Sequence, residues 1–416
     1  MKDVVIVSAC RTAIGSFGGT LRDVKACMIG KVTMEEAIKR AGIDPEIIDD
    51  VRYGCCMEPA ESLNVTRTAA LLAGIPDTTT AVTINRVCIS GMEATISGMA
   101  MIQAGMADVI LCGGMEHMSG VEYRVPNARW GCRLQDAEFV DAVIRGLHCG
   151  SHIIPHPEEG PVNADEPPLS FFKGKPYIMG HTAEFIAQHY NISREEMDEI
   201  ALKSHNEAER ATNDGSFADE IVPVPVPQRK KDPILFDKDE HFRPGMTAET
   251  LAKLPPAFVP KIGKVTAGNS SGLNDGSTGM IIMSADKAKE LGLQPLAKIT
   301  ATGRGGCHPS VMGLSPVPAV KDLMARSDYK LEDFELIELN EAFAAQYLGC
   351  EKELGLNRSI TNVNGSGIGL GHPVGSTGAR IMVTLMYAMK NRGKNLGMAT
   401  LCGGGGVSMA VALEMM

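Results

Sequence analysis

Hydrophobic positions along the chain follow two rhythms. Short apolar runs stand at residues 4–7 (Val-Val-Ile-Val), 109–111, 281–283 and 398–401, with the length and branching of buried strands. Between them, apolar residues recur at helical spacing. Residues 34–41 form one such pattern, stopped by Gly42, and residues 90–104 and 379–389 form two more. Strands alternating with helices predict an α/β fold in which helices cover a sheet. The rhythm fails from about Ser119 to Lys261, where Pro, Arg and acidic residues accumulate. Pro155-His156-Pro157 and the prolines from Pro161 to Pro168 interrupt any regular element there. This stretch reads as a loop-rich excursion between core elements, a usual place for ligand contacts.

A short internal echo adds to the picture. Leu111-Cys112-Gly113-Gly114 returns as Leu401-Cys402-Gly403-Gly404, each time after a strand-like run. Upstream of the two copies, strand-like runs at 82–85 and 360–364 lead into helix starts rich in small residues, at Cys88 and at His372. If the echo is a duplication, Cys88 and His372 occupy equivalent strand-to-helix corners of two similar halves. The match is short enough to leave that open.

Composition narrows the function class. The chain has 416 residues, which suits two or three domains of roughly 100–200 residues each. With 44% hydrophobic and 22% charged residues, it has the balance of a globular protein. A net charge of −10 argues against nucleic acid as a partner, though it leaves room for a local phosphate contact. Eleven cysteines, none in a Cys-x-x-Cys pair, point away from zinc and toward a reducing, cytoplasmic setting. Neither a signal peptide nor a membrane-length apolar run is found, so no membrane partner is expected.

Chemistry gathers at a few segments. In Asn85-Arg86-Val87-Cys88-Ile89-Ser90-Gly91 an extended run meets a helix start. A cysteine there has a lowered pKa and backbone N–H groups suited to an oxyanion, although a buried cysteine among small residues would look the same. His372 ends a loop with four glycines in seven residues and precedes Pro373, which suits a first helical position. Its imidazole is either a general base for a thiol or a structural histidine in a tight turn. Cys402 opens a run of four glycines, which serves a sharp bend or a row of N–H donors. Asn340, in Asn340-Glu341-Ala342-Phe343-Ala344, reads as a water-holding amide or as a helix cap. The small polar stretch at 266–276 is either a plain turn or a ligand wall. From the residues alone the chain is a cysteine-dependent α/β enzyme.

Taken in order along the chain, these segments resemble the thiolase family. The resemblance rests on Asn85-x-x-Cys88-x-Ser90-Gly91, Gly113-Gly114-Met115-Glu116-x-Met118-Ser119 and Met179-Gly180-His181-Thr182-Ala183-Glu184. It continues through residues 266–276, Asn340 to Ala344, Gly371-His372-Pro373 and Cys402-Gly403-Gly404-Gly405. It implies two duplicated α/β halves layered α-β-α-β-α with an inserted loop domain. The N-terminal half would take residues 1–119 and about 262–293, the loop domain 120–261, and the C-terminal half 294–416.

The resemblance further implies an acyl-cysteine mechanism for the reversible conversion of two acetyl-CoA into acetoacetyl-CoA and CoA. Cys88 is the nucleophile, His372 its activator, and Cys402 the acid and base at the α-carbon. Water on Asn340, with His372, forms one oxyanion hole; the N–H groups of Cys88 and Gly404 form the other. Ser271 and Arg243 would contact CoA, and Met179, Phe258, Met312 and Phe343 would line the acyl pocket. CoA thioesters are the substrates, no cofactor or metal is implied, and a homodimer or homotetramer is. The alternative is a 3-ketoacyl-CoA thiolase for longer or unusual acyl chains. Two departures bear on it: Ile178 stands where many acetoacetyl-forming relatives have histidine, and about 25 extra residues, roughly 149–175, lengthen the loop domain. A β-ketoacyl synthase would pair its cysteine with two histidines, whereas here the third position is Cys402. A scaffold that had lost catalysis would be expected to lack one of the three.

Overall fold

The computed structural model describes residues 2–156 and 169–416. The proline run at 157–168, and with it the middle of the extra segment, lies outside the described residues.

In chain order the elements that position the site are β1 (Val4–Thr12), α1 (Ala26–Ala41), β2 (Asp50–Gly54), β3 (Thr80–Ile84), α2 (Ser90–Gln103) and β4 (Val109–His117). The middle segment supplies α3 (Met179–His189) and α4 (Arg194–Asn213). Then follow β5 (Asn274–Ser284), β6 (Ala297–Gly306), α5 (Pro316–Ala325), β7 (Leu336–Leu339), α6 (Ala344–Leu354), α7 (Val374–Arg392), β8 (Leu396–Gly403) and β9 (Val407–Met415).

The strand order is β7-β8-β9-β6-β1-β5-β4-β2-β3. It divides into two like halves. In one, β2 runs parallel to β3 and β4, and β5 is antiparallel to both β4 and β1. In the other, β7 runs parallel to β8, and β9 is antiparallel to both β8 and β6. The halves meet where β1 pairs β6 over Val5–Lys298 and Ile6–Ala297. The Leu-Cys-Gly-Gly echo falls on equivalent strands, with Leu111 opposite Ile281 and Leu401 opposite Met409. The structure therefore answers the question the short match left open.

Helices α2 and α7 pack on each other between the halves, while α1 covers one outer face and α5 the other. That is the α-β-α-β-α layering. The amphipathic α1 buries Ile29, Thr33, Met34, Ala37, Ile38 and Ala41 on one face, and Gly42 closes it in a left-handed conformation (φ 65°). By contrast, α7 is buried on every side from Val374 to Met389, as a helix between two sheets must be. Its approach to the first half is backbone on backbone. A Cβ at Gly114 would collide with the carbonyl oxygen of Gly375 and stand 2.7 Å from Ser376 Cα.

The middle segment is more ordered than its prolines imply. The 20-residue α4 opens on a capping box, in which Ser193 Oγ accepts from Glu196 N (3.1 Å) and Glu196 Oε2 accepts from Ser193 N (2.7 Å). Buried Arg11 ties this segment to β1 by donating to Glu220 and, with two nitrogens, to Asp239 (2.7 and 2.9 Å). A strand expected at 360–364 shrinks to one bridge, Thr361 to Ile337. Asn362 takes a positive φ (52°), and its side chain replaces the ladder, accepting from Leu339 N (2.9 Å) and donating to Leu339 O (2.8 Å). No helix among the described residues is long and apolar enough to cross a membrane.

Candidate active site

The corner between β3 and α2 is built from contiguous residues, each with a visible task. Val87 lies in the left-handed region (φ 51°), where a β-branched residue is strained by roughly 1–2 kcal/mol. Flanking side chains hold it there. Asn85 Oδ1 accepts from Val87 N (3.0 Å), Asn85 Nδ2 donates to Cys56 O (3.1 Å), and Ser90 Oγ accepts from Arg86 N (2.8 Å) while donating to Val87 O. The spacing Asn-x-x-Cys-x-Ser is thus a clamp that presents Cys88 just before the first turn of α2.

Cys88 departs from the sequence expectation in one respect. Burial pushes its thiol up to about 12, with the Gly404 N–H the principal opposing influence. Desolvation outweighs the helix end, so the resting group is a thiol and needs a base.

His372, on the same cavity, has the form of such a base. Its backbone N–H donates to Asn274 Oδ1 (2.8 Å), and Asn274 Nδ2 donates to Gly15 O (3.0 Å), which anchors the glycine-rich loop to the first half. Nδ1 lies 2.7 Å from Thr377 Oγ1, whose single proton is given to Pro373 O (2.9 Å). The hydroxyl can then only accept from the ring, so Nδ1 carries the hydrogen and Nε2 is a bare lone pair. Nε2 is buried and has no hydrogen-bond partner among the described residues. Burial, aided by the charge of Arg380, pushes the His372 pKa down to about 3, which keeps the ring neutral at pH 7. Pro373 is the cap residue of α7 rather than its first helical residue.

Cys402 is the penultimate residue of β8, is fully buried, and is held well above the ordinary thiol range by burial first and by the nearby Cys88 next. The glycines after it make a hairpin: Gly405 and Gly406 take positive φ (81° and 84°), and Gly406 N donates to Gly403 O (3.1 Å). The run therefore serves both readings, bending the chain and turning the Gly404 N–H toward Cys88.

A cavity of about 720 Å³ joins most of these groups. Cys88, His372 and Gly404 line it together with Met179, Phe258, Met312 and Phe343, and Ser271 lies on the same wall. Ser270, Gly272 and Leu273 also line it, so the stretch at 266–276 is in part a cavity wall. Its lining is largely apolar and its size suits an acyl chain with part of a long thiol carrier. Phe258 and Phe343 meet edge to face at 6.2 Å. Ile178 also lines the cavity.

Three expected residues do not line it. Cys402 and Asn340 are fully buried, Asn340 two residues before the lining residue Ala342 in the chain. Arg243 is exposed, beside His205 and His241. Asn340 is not a helix cap, since α6 starts at Ala344 with Phe343 in the cap position. Two neighbours escaped the sequence reading. Cys149 lines the cavity with its sulfur packed against Gly404. Arg380 donates to Asn340 Oδ1 (3.3 Å); an arginine within the small and apolar residues of 374–389 was its only advance signal.

The chain matches the family model for the thiolase N-terminal domain over residues 4–154 and 170–286, and for the thiolase C-terminal domain over 293–415. It is 45% identical to an acetyl-CoA acetyltransferase of Syntrophomonas wolfei, with 99% of each chain covered. It is 44% identical to one of Escherichia coli K12, covering 100% of this chain and 99% of that one. Among solved structures, Bacillus anthracis acetyl-CoA acetyltransferase superposes with a TM-score of 0.92 at 46% identity, over 100% of this chain and 99% of that one. Human mitochondrial 3-ketoacyl-CoA thiolase in complex with CoA gives 0.90 at 37% identity, over 100% and 98%.

Proposed function

The chain belongs to the thiolase family and is an acyltransferase, and from that premise we propose that it interconverts two acetyl-CoA with acetoacetyl-CoA and CoA. The full-length relatives named acetyl-CoA acetyltransferase carry the acetyl reading to this chain. The observation that carries the mechanism is the meeting of Cys88, the bare Nε2 of His372 and Gly404 at one cavity, with the Cys402 thiol held up by burial and then by its neighbour Cys88.

Nε2 takes the Cys88 proton as sulfur attacks the thioester carbonyl. The oxyanion is stabilised by the N–H groups of Cys88 and Gly404. CoA leaves as its thiol, with the proton returned from His372, and the acetyl group stays on Cys88. A second acetyl-CoA then loses its α-proton to the Cys402 sulfur as the thiol's own proton passes to His372 Nε2, and the enolate oxygen is stabilised by water on Asn340 and by the protonated His372. The carbanion attacks the acyl-Cys88 carbonyl, the C–C bond forms, and the Cys88 thiolate departs and recovers its proton from His372. Cleavage is the same path reversed. CoA thioesters are substrates throughout, and the chemistry needs no cofactor. Ser271 and Arg243 are assigned to CoA, and the four apolar residues to the acyl group.

All eleven cysteines are free, which suits a cytoplasmic location. Exposed Tyr123, Trp130, Leu134 and Phe139 favour a homodimer or homotetramer. Trapping acyl-Cys88 by mass spectrometry across a panel of 3-ketoacyl-CoAs, with CoA-dependent cleavage rates for each, tests nucleophile and substrate together. A strong preference for chains longer than acetoacetyl rejects the acetyl reading.

A further inference from the structure

Three buried polar groups stand together, Glu338 on β7, Asn340 just beyond that strand, and Arg380 on α7. The backbone of Asn340 is fixed by its N–H to Thr400 O (3.1 Å). Its side chain is fixed by Arg380, whose Nη2 donates to Oδ1 (3.3 Å). A guanidinium offers donors only, so it selects the oxygen and turns the amide NH2 the other way. That NH2 group is buried and has no partner among the described residues.

Burying an arginine costs several kcal/mol unless the charge is compensated and its donors are bonded. Here the compensation is partial. Glu338 and Glu220 are the acidic neighbours, but burial raises both carboxyls, Glu338 to about 8, and Arg380 Nε and Nη1 and Glu338 Oε2 find no hydrogen-bond partner among the described residues. A methionine or glutamine would cost less in the middle of α7. We infer that Arg380 is a positioning residue for the carbon–carbon step, holding the Asn340 amide so that its NH2 group is free to donate at the enolate oxyanion hole. The inference rests on the thiolase reading and deepens it. The same charge acts on His372, which places the guanidinium near the second member of that hole.

A merely structural arginine would affect both half-reactions alike, whereas a positioning one affects only the carbon–carbon step. The two are separable. Exchange of labelled CoA into acetyl-CoA needs acyl transfer to Cys88 alone, while thiolysis of acetoacetyl-CoA also breaks the C–C bond. Arg380→Lys keeps a positive charge near Glu338 but loses the planar fork. It is expected to leave exchange within about threefold, and KM within about twofold, while thiolysis kcat falls roughly tenfold to a hundredfold, just short of the loss of a whole oxyanion donor. In an Asn340→Ala background the same substitution should cause no further fall. Glu338→Gln, which leaves the arginine in place without its neighbouring carboxyl, gives the same test if the lysine variant does not fold; its thiolysis-to-exchange ratio should also drop. An unchanged ratio, a parallel fall in both activities, or effects that multiply with Asn340→Ala overturn the inference. Absence of both activities in the unaltered protein would instead count against the thiolase reading.

Discussion

Replacing Thr377 with valine tests the claim that a single hydroxyl sets the protonation of the general base. Thr377 is fully buried, and its Oγ1 receives the His372 Nδ1 hydrogen at 2.7 Å. Valine has nearly the same shape, so no cavity arises. What is lost is one acceptor for a buried donor, a deficit of about 1–3 kcal/mol. The ring can leave Nδ1–H unsatisfied, or move the hydrogen to Nε2 and cease to be a base for Cys88. Because each ~1.4 kcal/mol is a factor of ten in rate, kcat/KM for acetoacetyl-CoA thiolysis should fall roughly tenfold to a hundredfold. In the proposed mechanism His372 serves both half-reactions, so CoA exchange should fall with it. Thr377→Ser restores the hydroxyl and should recover most of the rate. If the valine variant melts as a folded protein yet keeps kcat/KM within about twofold of the parent, the tautomer argument is wrong.

Other outcomes follow from the same geometry. Cys88→Ala should abolish the acyl-enzyme seen by mass spectrometry, whereas Cys402→Ala should still acylate at Cys88 and fail at condensation; an unimpaired condensation rate removes Cys402 from the mechanism. Gly114→Ala forces a methyl group into the backbone of α7 at Gly375, and should cost more than about 3 kcal/mol by urea unfolding, because a backbone neighbour cannot repack as a side chain can. Burial holds His372 at about 3 and His205 and His241 at about 4. The unfolded chain therefore binds protons that the folded one refuses, and stability is full above about pH 6.5 and falls on acidification. Each such ring contributes about 1.4 kcal/mol per pH unit between pH 6 and 4, opposed in the same window by buried carboxyls such as Glu338, which burial raises to about 8. His205→Asn should therefore lower the slope of unfolding free energy there by about 1.4 kcal/mol per pH unit, and an unchanged slope would contradict the burial of that ring.

What could be read in the sequence was what is local in space. The clamp around Val87 spans residues 85–90, so its residue types stand together in the chain, and the segment drew attention before its task was visible. Gly42 as a helix stop and the bend after Cys402 are local in the same sense, each fixed by one or two left-handed residues. Helices α3 and α4 of the middle segment were missed because prolines dominated the reading. The Ser193–Glu196 box that starts α4 was nonetheless present as Ser-x-x-Glu.

Where the reading failed, the deciding contact was distant in the chain. The helix end favours a low pKa for Cys88, but Gly404, Cys149 and the enclosing walls arrive from elsewhere, and desolvation by the assembled cavity reverses the sign. Asn340 looked like a cap because the sequence shows the strand before it and the helix after it, but not Arg380, forty positions away on a helix between two sheets. The same layering explains why that helix seemed unremarkable. A helix that is apolar on one face announces its partner, whereas α7, buried all round, has no polar face against which one charge stands out. Only when both sheets are in place does the cost of that guanidinium become apparent, and with it the question of what its charge is kept there to hold.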